Sequence, residues 1–303
     1  MSEPSEEIAN PTPDPNNSFY LKMKPFWRFK LAIEALLDTN FSNDGFGTVR
    51  AASDSLAISV NDYDNATATL LLKSSDTIEF QNNALPPFMV ELLTPLHFIS
   101  RGFPRYLAGD DDTVVIYRLK GTDRLEFEFG TVPPTGIWVQ IVQNPGNNTM
   151  FPNLTVLSEI TVPVDDISDM CDDIDILPEE HRSNDTVFVD WKDGVATFQI
   201  GSGEKRAYQY SQNERTFQGW FSWNYMTYMK EASFLADKAR VLFLTDPEQH
   251  VLFQFHIGES ADLFLLHKAR LVITDMSAEA GAPDEDVVSD SVTLDTLSNS
   301  WLN

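Results

Sequence analysis

Few residues in this sequence have the type and spacing that catalysis requires. The five histidines are scattered along the chain, and no nucleophile elbow, phosphate-binding loop, zinc-protease helix or paired-cysteine motif occurs. The single cysteine, Cys171, lies among aspartates, which disfavour the reactive thiolate. His256 lies between apolar residues of a predicted strand, where a structural role is favoured over a ligand role. We therefore expect no catalytic residue, no metal ligand and no cofactor.

Two further groups of residues have partial ion-binding character. The aspartates between residues 165 and 175 could together bind a divalent cation, but they lack the Asp-x-Asp-x-Asp-Gly loop. The segment 201–206 (GSGEKR) resembles a phosphate loop, but it stands between two predicted strands with no helix N-terminus behind it. A solvated helix face and a hairpin turn are the favoured interpretations.

Basic side chains are more informative, because the chain has 21 of them against 46 acidic ones. A net charge of −25 argues against nucleic acid on average, yet a local basic stripe can exist within an acidic surface. Lysines and arginines on or beside predicted helices could form such a stripe facing phosphates, although for each helix taken alone ordinary surface charge is the favoured interpretation. The candidate DNA-facing positions are Arg28, Lys30, Arg101, Arg105, Lys230 and Lys238.

The elements that would position these residues occur twice in the same order. A strand, a helix and two strands joined by a turn occur twice at one constant offset in the sequence. This offset aligns Leu125 with Phe253 and Gly130 with Gly258. Ser222 stands before the second of these helices as a candidate N-cap. Such repetition is typical of a duplicated domain, and the order of elements in each half predicts an α+β class.

The composition divides the chain into five predicted segments: a disordered acidic tail (1–18), an N-terminal domain (19–137), a connector (138–155), a C-terminal domain (156–274) and a second disordered acidic tail (275–303). The connector contains apolar Met150, Phe151 and Leu154, which should fold back on a domain or help to bind a partner. The second tail ends in a stretch with Trp301, for which a frayed terminus is favoured over a docking peptide.

Cysteine usage and hydropathy bear on the compartment. One cysteine permits no intramolecular disulfide, which fits an intracellular protein. No signal peptide and no apolar run of about 18 residues is recognisable, so no membrane partner is expected.

The segments KLAIEALLD, SLAISVNDYDNATATLLLK, LTPLHFISR and FSWNYMTYMKEASFLADKARVLFLTD, taken in order, resemble the sliding clamps of the proliferating-cell nuclear antigen type. The resemblance covers about residues 19–274. It implies a DNA clamp fold with two topologically similar domains per chain, helices lining a ring and antiparallel sheets outside. It also implies a homotrimer that encircles double-stranded DNA without sequence specificity, is assembled by a clamp loader and tethers DNA polymerase and other clamp-binding peptides.

The resemblance also implies site residues. Lys30 and Arg101 fall where the family carries DNA-facing lysines, and Lys230 lies within one residue of another. Partner peptides would dock in an apolar pocket; its residues would be Met150, Phe151 and Leu154 of the connector with Val60, Val251 and Leu266 nearby. The implied location is the nucleus in a eukaryote or a virus of a eukaryotic host, and the cytoplasm otherwise.

The sequence departs from the family in its charge. Asp169 and Asp172 stand on the third helix where the family is basic, and the acidic tails are long, which suggests a divergent viral, archaeal or checkpoint-type member. Two alternatives therefore stay open beside the homotrimeric clamp. One is a subunit of a heteromeric checkpoint-type clamp, and the other is a clamp-like acidic decoy that does not load on DNA.

Overall fold

The computed structural model describes residues 17–37, 47–52, 54–62, 66–75, 78–82, 88–94, 96–104, 109–130, 135–143, 154–177, 187–192, 194–200, 205–209, 216–221, 225–245, 250–268, 270–274 and 291–292. The first half contains β1 (Asn17–Met23), α1 (Phe26–Leu36), β2 (Thr48–Ala51), β3 (Ser55–Asp62), β4 (Ala66–Lys73), β5 (Ile78–Asn82), β6 (Phe88–Leu92), α2 (Leu96–Arg101), β7 (Val114–Leu119), β8 (Arg124–Phe129) and β9 (Thr135–Gln143). The second half contains β10 (Leu154–Val162), α3 (Val164–Asp175), β11 (Val187–Lys192), β12 (Val195–Ile200), β13 (Lys205–Gln209), β14 (Thr216–Phe221), α4 (Met226–Leu235), β15 (Lys238–Thr245), β16 (His250–Ile257), β17 (Ala261–Lys268) and β18 (Arg270–Thr274), followed by β19 (Ser291–Val292).

The two halves repeat the same antiparallel strand pairing. In the first half, β1, β7, β8 and β9 form one row, and β6, β2, β3 and β4 form another. In the second half, β10, β15, β16 and β17 repeat the first row, and β14, β11, β12 and β13 repeat the second. Strand β9 connects the two rows of the first half, because it pairs first with β8 and then with β6. In the second half two strands make this connection: β17 pairs with β16, and β18 pairs with β14. The strand pairing thus agrees with the repeat read from the sequence.

One strand pair joins the halves. Strand β4 pairs antiparallel with β17, from Leu72 opposite Ala261 to Ala66 opposite His267. The sheet therefore continues from the first half into the second, and we call this pair the junction. By the repeat, β4 corresponds to β13 and β17 to β9. Among the described residues, β13 pairs with a strand on one side only, because it is the last strand of its sheet. The Gly136–Val139 stretch of β9 likewise pairs with β8 alone. Each of these strands therefore has an open edge.

The four helices lie together and form a layer in the order α2, α1, α4, α3, since α1 contacts both α2 and α4, and α4 contacts α3. Each of the longer helices buries a stripe at three- and four-residue spacing, such as Phe26, Phe29 and Ile33 in α1. The rings of Phe26, Phe103 and Phe129 meet edge to face at centroid distances of 5.2 to 5.6 Å. No helix in the described ranges is both long and apolar enough to span a bilayer.

The structure places several element boundaries at other residues than the predicted ones. Strand β9 takes up the start of the predicted connector, because Val139 and Ile141 are buried in alternation with exposed neighbours. Strand β10 begins at Leu154, so that only 144–153 separates the two strands. Helix α4 begins at Met226 rather than after Ser222, with the Met229 N–H donating to the Tyr225 carbonyl at 2.9 Å.

The predicted tails also differ from the structure at two places. Strand β1 starts at Asn17, inside the segment predicted as the first tail. Strand β19 lies within the second tail, where it pairs with the start of β10. Composition predicted no element there, because a two-residue strand depends on the edge that it pairs with rather than on its own sequence.

Candidate nucleic-acid interface and partner surface

The first half carries its helical basic residues on α1 and α2. Arg28 is exposed, with its guanidinium carbon 5.4 Å from the centre of the Trp27 ring. Lys30 is half-buried, with its ammonium 4.0 Å from the carboxylate of Glu34 one turn later. Arg101 is exposed at the end of α2. Helices α1 and α2 are in contact, so these cations lie on neighbouring helices of the layer.

The second half presents the acidic helix α3 beside α4, whose charged residues are Lys230 and Glu231. The Lys230 ammonium on α4 lies 2.5 Å from Asp172 Oδ1 on α3, and this hydrogen bond raises the pKa of Lys230. The predicted DNA-facing cation of α4 is therefore already paired with an anion. Five side chains of α3 are exposed carboxylates, namely Asp165, Asp169, Asp172, Asp173 and Asp175.

Arg206 of β13 neutralises part of this acidic helix. It donates to Asp173 Oδ2 at 3.1 Å and to the Asp166 carbonyl at 3.2 Å, and it lies 3.6 Å from Asp169 Oδ2. Burial alone would lower the pKa of Arg206, but the hydrogen bond to Asp173 and the nearby charges raise it. The Tyr208 hydroxyl donates to Asp166 Oδ2 at 2.9 Å, and burial together with this contact raises the pKa of Tyr208.

Sequence reasoning missed Arg206 because it treated residues 201–206 as a hairpin turn and no more. Strands β12 and β13 are indeed an antiparallel pair on either side of 201–204. The available signal was the two-residue spacing of Arg206 and Tyr208, which puts both side chains on the same face of a strand. The aspartates form an ion-pair surface, and within the described ranges no group of three potential metal ligands is arranged to hold an ion.

The remaining basic candidates lie elsewhere. Lys238 is exposed at the start of β15, after α4 has ended, and Arg105 is outside the described residues. Arg28 reaches the turn between β16 and β17, where a Cβ on Gly258 would lie 3.4 Å from its Nη1. Gly258 has φ +58°, a conformation that favours glycine in this tight turn. The structure thus places Arg28, Lys30 and Arg101 on the neighbouring helices α1 and α2, with Arg28 directed to the β16–β17 turn, and it leaves Lys238 outside the helix layer.

A second apolar cluster lies on the other face of the junction sheet, away from the main core. No helix residue belongs to it, whereas the main core contains residues of α1, α2, α3 and α4. Val156 of β10 packs against it, and its members are 5% exposed or less. It spans both halves, and we call it the outer cluster. Its members are Ala57, Leu71, Leu242, Leu244, Leu252, Phe264 and Leu266.

The predicted partner pocket is only partly consistent with this cluster. Leu266 is a member, but Val60 and Val251 point to the opposite face and belong to the main core. Val60 and Val251 therefore do not share a surface with Leu266, since neighbouring positions of a strand face opposite sides of its sheet. Met150, Phe151 and the side chain of Leu154 lie outside the described residues.

A buried polar network lies beside the outer cluster and crosses the junction. Lys73 Nζ of β4 donates to Asp262 Oδ2 of β17 at 2.7 Å. His256 Nδ1 is 2.9 Å from Asp262 Oδ1, and Gln254 donates to the same oxygen at 3.4 Å. Burial alone would raise the pKa of Asp262, but the hydrogen bond with His256 and the charge of Lys73 hold it below its usual range.

Comparison with known proteins gives the fold. No family model matches the sequence. No curated protein matches it either. Among solved structures, the chain is similar to the crystal structure of Proliferating Cellular Nuclear Antigen from Entamoeba histolytica, with a TM-score of 0.62 and 15% identity over 84% of this chain and 99% of that one. Similarity at so low an identity shows the fold alone, and it confirms the predicted α+β clamp fold.

Proposed function

We propose that this chain is a ring-forming sliding clamp that encircles duplex DNA and tethers DNA polymerase and other replication or repair enzymes. The observation that carries the proposal is that, in the described part of the chain, β13 ends its sheet and the Gly136–Val139 stretch of β9 pairs with β8 alone, so each has one open edge. These strands correspond, through the internal repeat, to β17 and β4, which already pair at the junction.

A second copy of the chain could repeat the junction at these edges. If β13 of one copy pairs with β9 of the next, the contact is head to tail, and such contacts close into rings when the rotation permits. An open strand edge is a ready template for pairing with another chain. The clamp fold favours closure as a homotrimer, and loading on DNA would then require a clamp loader.

The repeat also predicts the register of this contact. Phe264 of β17 pairs with Thr69 of β4, and the corresponding positions are Trp138 on β9 and Lys205 on β13. Trp138 is 55% exposed and has the Arg124 guanidinium carbon 4.2 Å from its ring centre. Leu93, just after β6, and Val142, further along β9, are exposed as well, so apolar side chains are exposed along this part of the sheet. Exposed apolar surface is typical of protein interfaces.

The charges of the helix layer support weak DNA binding that differs between the two halves of the chain. Arg28, Lys30 and Arg101 give the first half phosphate-binding cations, and contacts to phosphate carry no sequence information. In the second half, Lys230 and Arg206 are engaged with the aspartates of α3. The contact is therefore electrostatic and biased towards the first half of each copy.

A crosslink tests the proposed ring directly. Trp138→Cys and Lys205→Cys are combined in one chain, and the native Cys171 is buried and stays unreactive. Directly opposed residues of an antiparallel pair have Cα atoms about 4.5–5.5 Å apart, within the range of a disulfide. Oxidation should give a closed covalent oligomer on a denaturing gel, whereas either cysteine alone should give dimers at most. A double variant that stays monomeric under oxidation contradicts the proposed contact.

The acidic surface of α3 favours a second candidate, a clamp-like decoy that presents carboxylates to a DNA-binding protein. Exposed carboxylates on a layer that would face DNA are the observation behind it. A decoy should bind a basic DNA-binding protein and not associate with DNA at low salt. A heteromeric clamp subunit would instead stay monomeric until its partner chains are added.

A further inference from the structure

We propose that the second half carries a binding site for unpaired bases of a single-stranded nucleic acid, on the face of its five-stranded sheet that points away from the helices. The site goes beyond the proposed function, in which the helix layer meets duplex DNA. It lies on strands β13, β12, β11 and β14, which are consecutive in that sheet. We call it the aromatic face.

Alternation along these strands separates the two faces of the sheet. On β11, Val189 and Trp191 are fully buried, whereas Lys192 is exposed. On β13, Arg206 and Tyr208 contact the aspartates of α3. The side chains between the buried positions therefore point away from the core and from α3. They include Phe188, Lys192, Gln199, Lys205, Gln218 and Trp220.

Two aromatic rings lie side by side on this face. Phe188 of β11 stands directly opposite Trp220 of β14, and their ring centroids are 5.0 Å apart. Trp220 is 40% exposed, so its ring is accessible to a ligand. Because every base has a flat π-face, exposed aromatic rings bind unpaired bases by stacking, with little dependence on sequence.

The internal repeat shows that the fold does not require these rings. Strands β2 and β6 of the first half correspond to β11 and β14. Their outward pairs are Thr48 with Glu91 and Arg50 with Met89, and neither pair contains an aromatic residue. The same strand pairing thus forms without aromatic side chains on this face. Leaving such rings in water gives up the stabilisation that burial would provide, so a ligand accounts for them better than folding does.

The charge of the aromatic face is opposite to that of the whole chain. The chain has a net charge of −25. Among the described outward side chains of the four strands, the charged ones are Lys192, Lys205 and Asp190, an excess of one positive charge. Asp190 accepts a hydrogen bond from Gln218 Nε2 at 3.0 Å. A phosphate backbone fits a face with excess lysine better than it fits the acidic surface elsewhere.

The strand register places an amide and a cation in one row with the rings. Gln199 of β12 stands opposite Phe188 on one side and opposite Lys205 on the other. Neighbouring strands are about 4.8 Å apart, so Lys205 lies two spacings, roughly 10 Å, from Phe188. A strand whose bases stack on the rings can therefore place a phosphate beside Lys205 and a base edge beside Gln199. Open antiparallel sheets with aromatic rings bind single strands in this way.

The test measures binding of labelled oligothymidylate to the full chain by fluorescence anisotropy. Phe188→Ala and Trp220→Ala should each weaken binding about tenfold or more, because each removes a stacking ring. Trp220→Phe keeps a ring and should retain most of the affinity. Phe234→Ala removes a ring that is 81% exposed on α4 and serves as the control. Equal affinity in the unaltered chain and Trp220→Ala, or equal losses in Trp220→Ala and Phe234→Ala, overturns the proposal.

Two further measurements separate a stacking role from a structural one. Trp220→Ala should leave the affinity for a blunt duplex unchanged, because paired bases are not free to stack on the ring. Lys205→Ala should reduce the slope of log affinity against log salt for the single strand by about 0.7, the contribution of one phosphate contact. Loss of duplex binding in Trp220→Ala to the same extent as loss of single-strand binding contradicts the site.

The choice of probe identifies the occupant. A parallel titration with oligouridylate of equal length distinguishes DNA from RNA as the source of the bases, and weaker binding of either strand to Trp220→Ala supports the site. If neither strand binds, and Trp220→Ala abolishes polymerase stimulation instead, the face binds a protein and the proposal is wrong.

This inference and the proposed function fail separately. Binding of a single strand to the aromatic face does not require an assembled ring. A chain that binds oligothymidylate through Trp220 but never forms rings contradicts the clamp proposal alone. A chain that forms rings around DNA but does not bind oligothymidylate contradicts this inference alone.

Discussion

At the scale of single residues, the cations of α1 and α2 should govern DNA affinity. Each phosphate contact contributes about 0.9 to the slope of log affinity against log salt concentration. Replacing Lys30 and Arg101 with alanine should therefore reduce the slope by about two, as measured by anisotropy with a labelled duplex. Lys120→Ala with Lys192→Ala removes the same charge at exposed strand ends and serves as the control. A slope unchanged in the first double variant would remove both residues from the interface.

The ion pair between Lys230 and Asp172 leads to a second residue prediction. Replacing Asp169 and Asp172 with asparagine removes two carboxylates and releases Lys230 from its 2.5 Å contact. The released ammonium should add about one phosphate contact and increase the salt slope by about 0.9. Asp54→Asn with Glu79→Gln changes the net charge equally on exposed parts of the first half. If both double variants gain affinity equally, net charge rather than Lys230 is responsible.

Residue types alone could indicate which side chains are charged, but not which of them meet. The aspartates of α3 and the scarcity of cations are visible in the sequence. The contact between Arg206 and three of those aspartates depends on β13 lying beside α3, which local pattern does not contain. The sequence likewise could not indicate which face of the sheet Val60 and Val251 occupy, because that depends on the strand register.

At the scale of elements, the junction between β4 and β17 is held by a buried ion pair. Asp262 is fully buried, and removing one member of such a pair leaves the other charge without compensation. Asp262→Asn should lower the free energy of unfolding at pH 7 by roughly 3 kcal/mol, as measured by urea denaturation. Glu231→Gln on the exposed side of α4 should change it by much less.

The pH dependence of this effect has a definite sign. The pKa of Asp262 is lower in the folded state than its ordinary value of 3.8. The stabilisation is therefore fully present above that value and is lost as the pH falls through the lower, folded pKa. The difference in the free energy of unfolding between the wild-type chain and Asp262→Asn should stay constant from pH 7 to about pH 4 and become smaller below pH 4. If this free-energy difference already becomes smaller between pH 7 and pH 5, the Asp262 carboxylate is not its source.

Elements were predictable where a pattern repeats and where alternation is clear. The duplicated strand, helix and hairpin indicated two similar halves, and the strand pairing follows that repeat. The division of the last predicted strand into β17 and β18 was not predictable, because the break reflects a change of partner from β16 to β14. Strand β19 was missed for a similar reason, since its partner is distant in sequence.

At the scale of the whole molecule, assembly should depend on the open edge of β9. Trp138→Glu places a charge in the proposed contact between copies, and it should convert the oligomer into folded monomers of 34.2 kDa. Trp220→Glu is the matched control, because Trp220 is 40% exposed and lies on β14, away from both open edges. Native mass spectrometry separates the outcomes. Monomers from both variants would indicate general damage, and oligomers from both would exclude the β9 edge.

Retention on circular DNA shows whether the assembled ring encloses the duplex. The Trp138→Cys, Lys205→Cys chain is mixed with a nicked circular plasmid, oxidised to close the ring, and washed in 1 M salt, which removes electrostatic binding. We expect closed rings to stay on the circle and to be released when a restriction enzyme linearises it. Complete loss from the circle in the salt wash, or equal retention on circular and linear DNA, would contradict it.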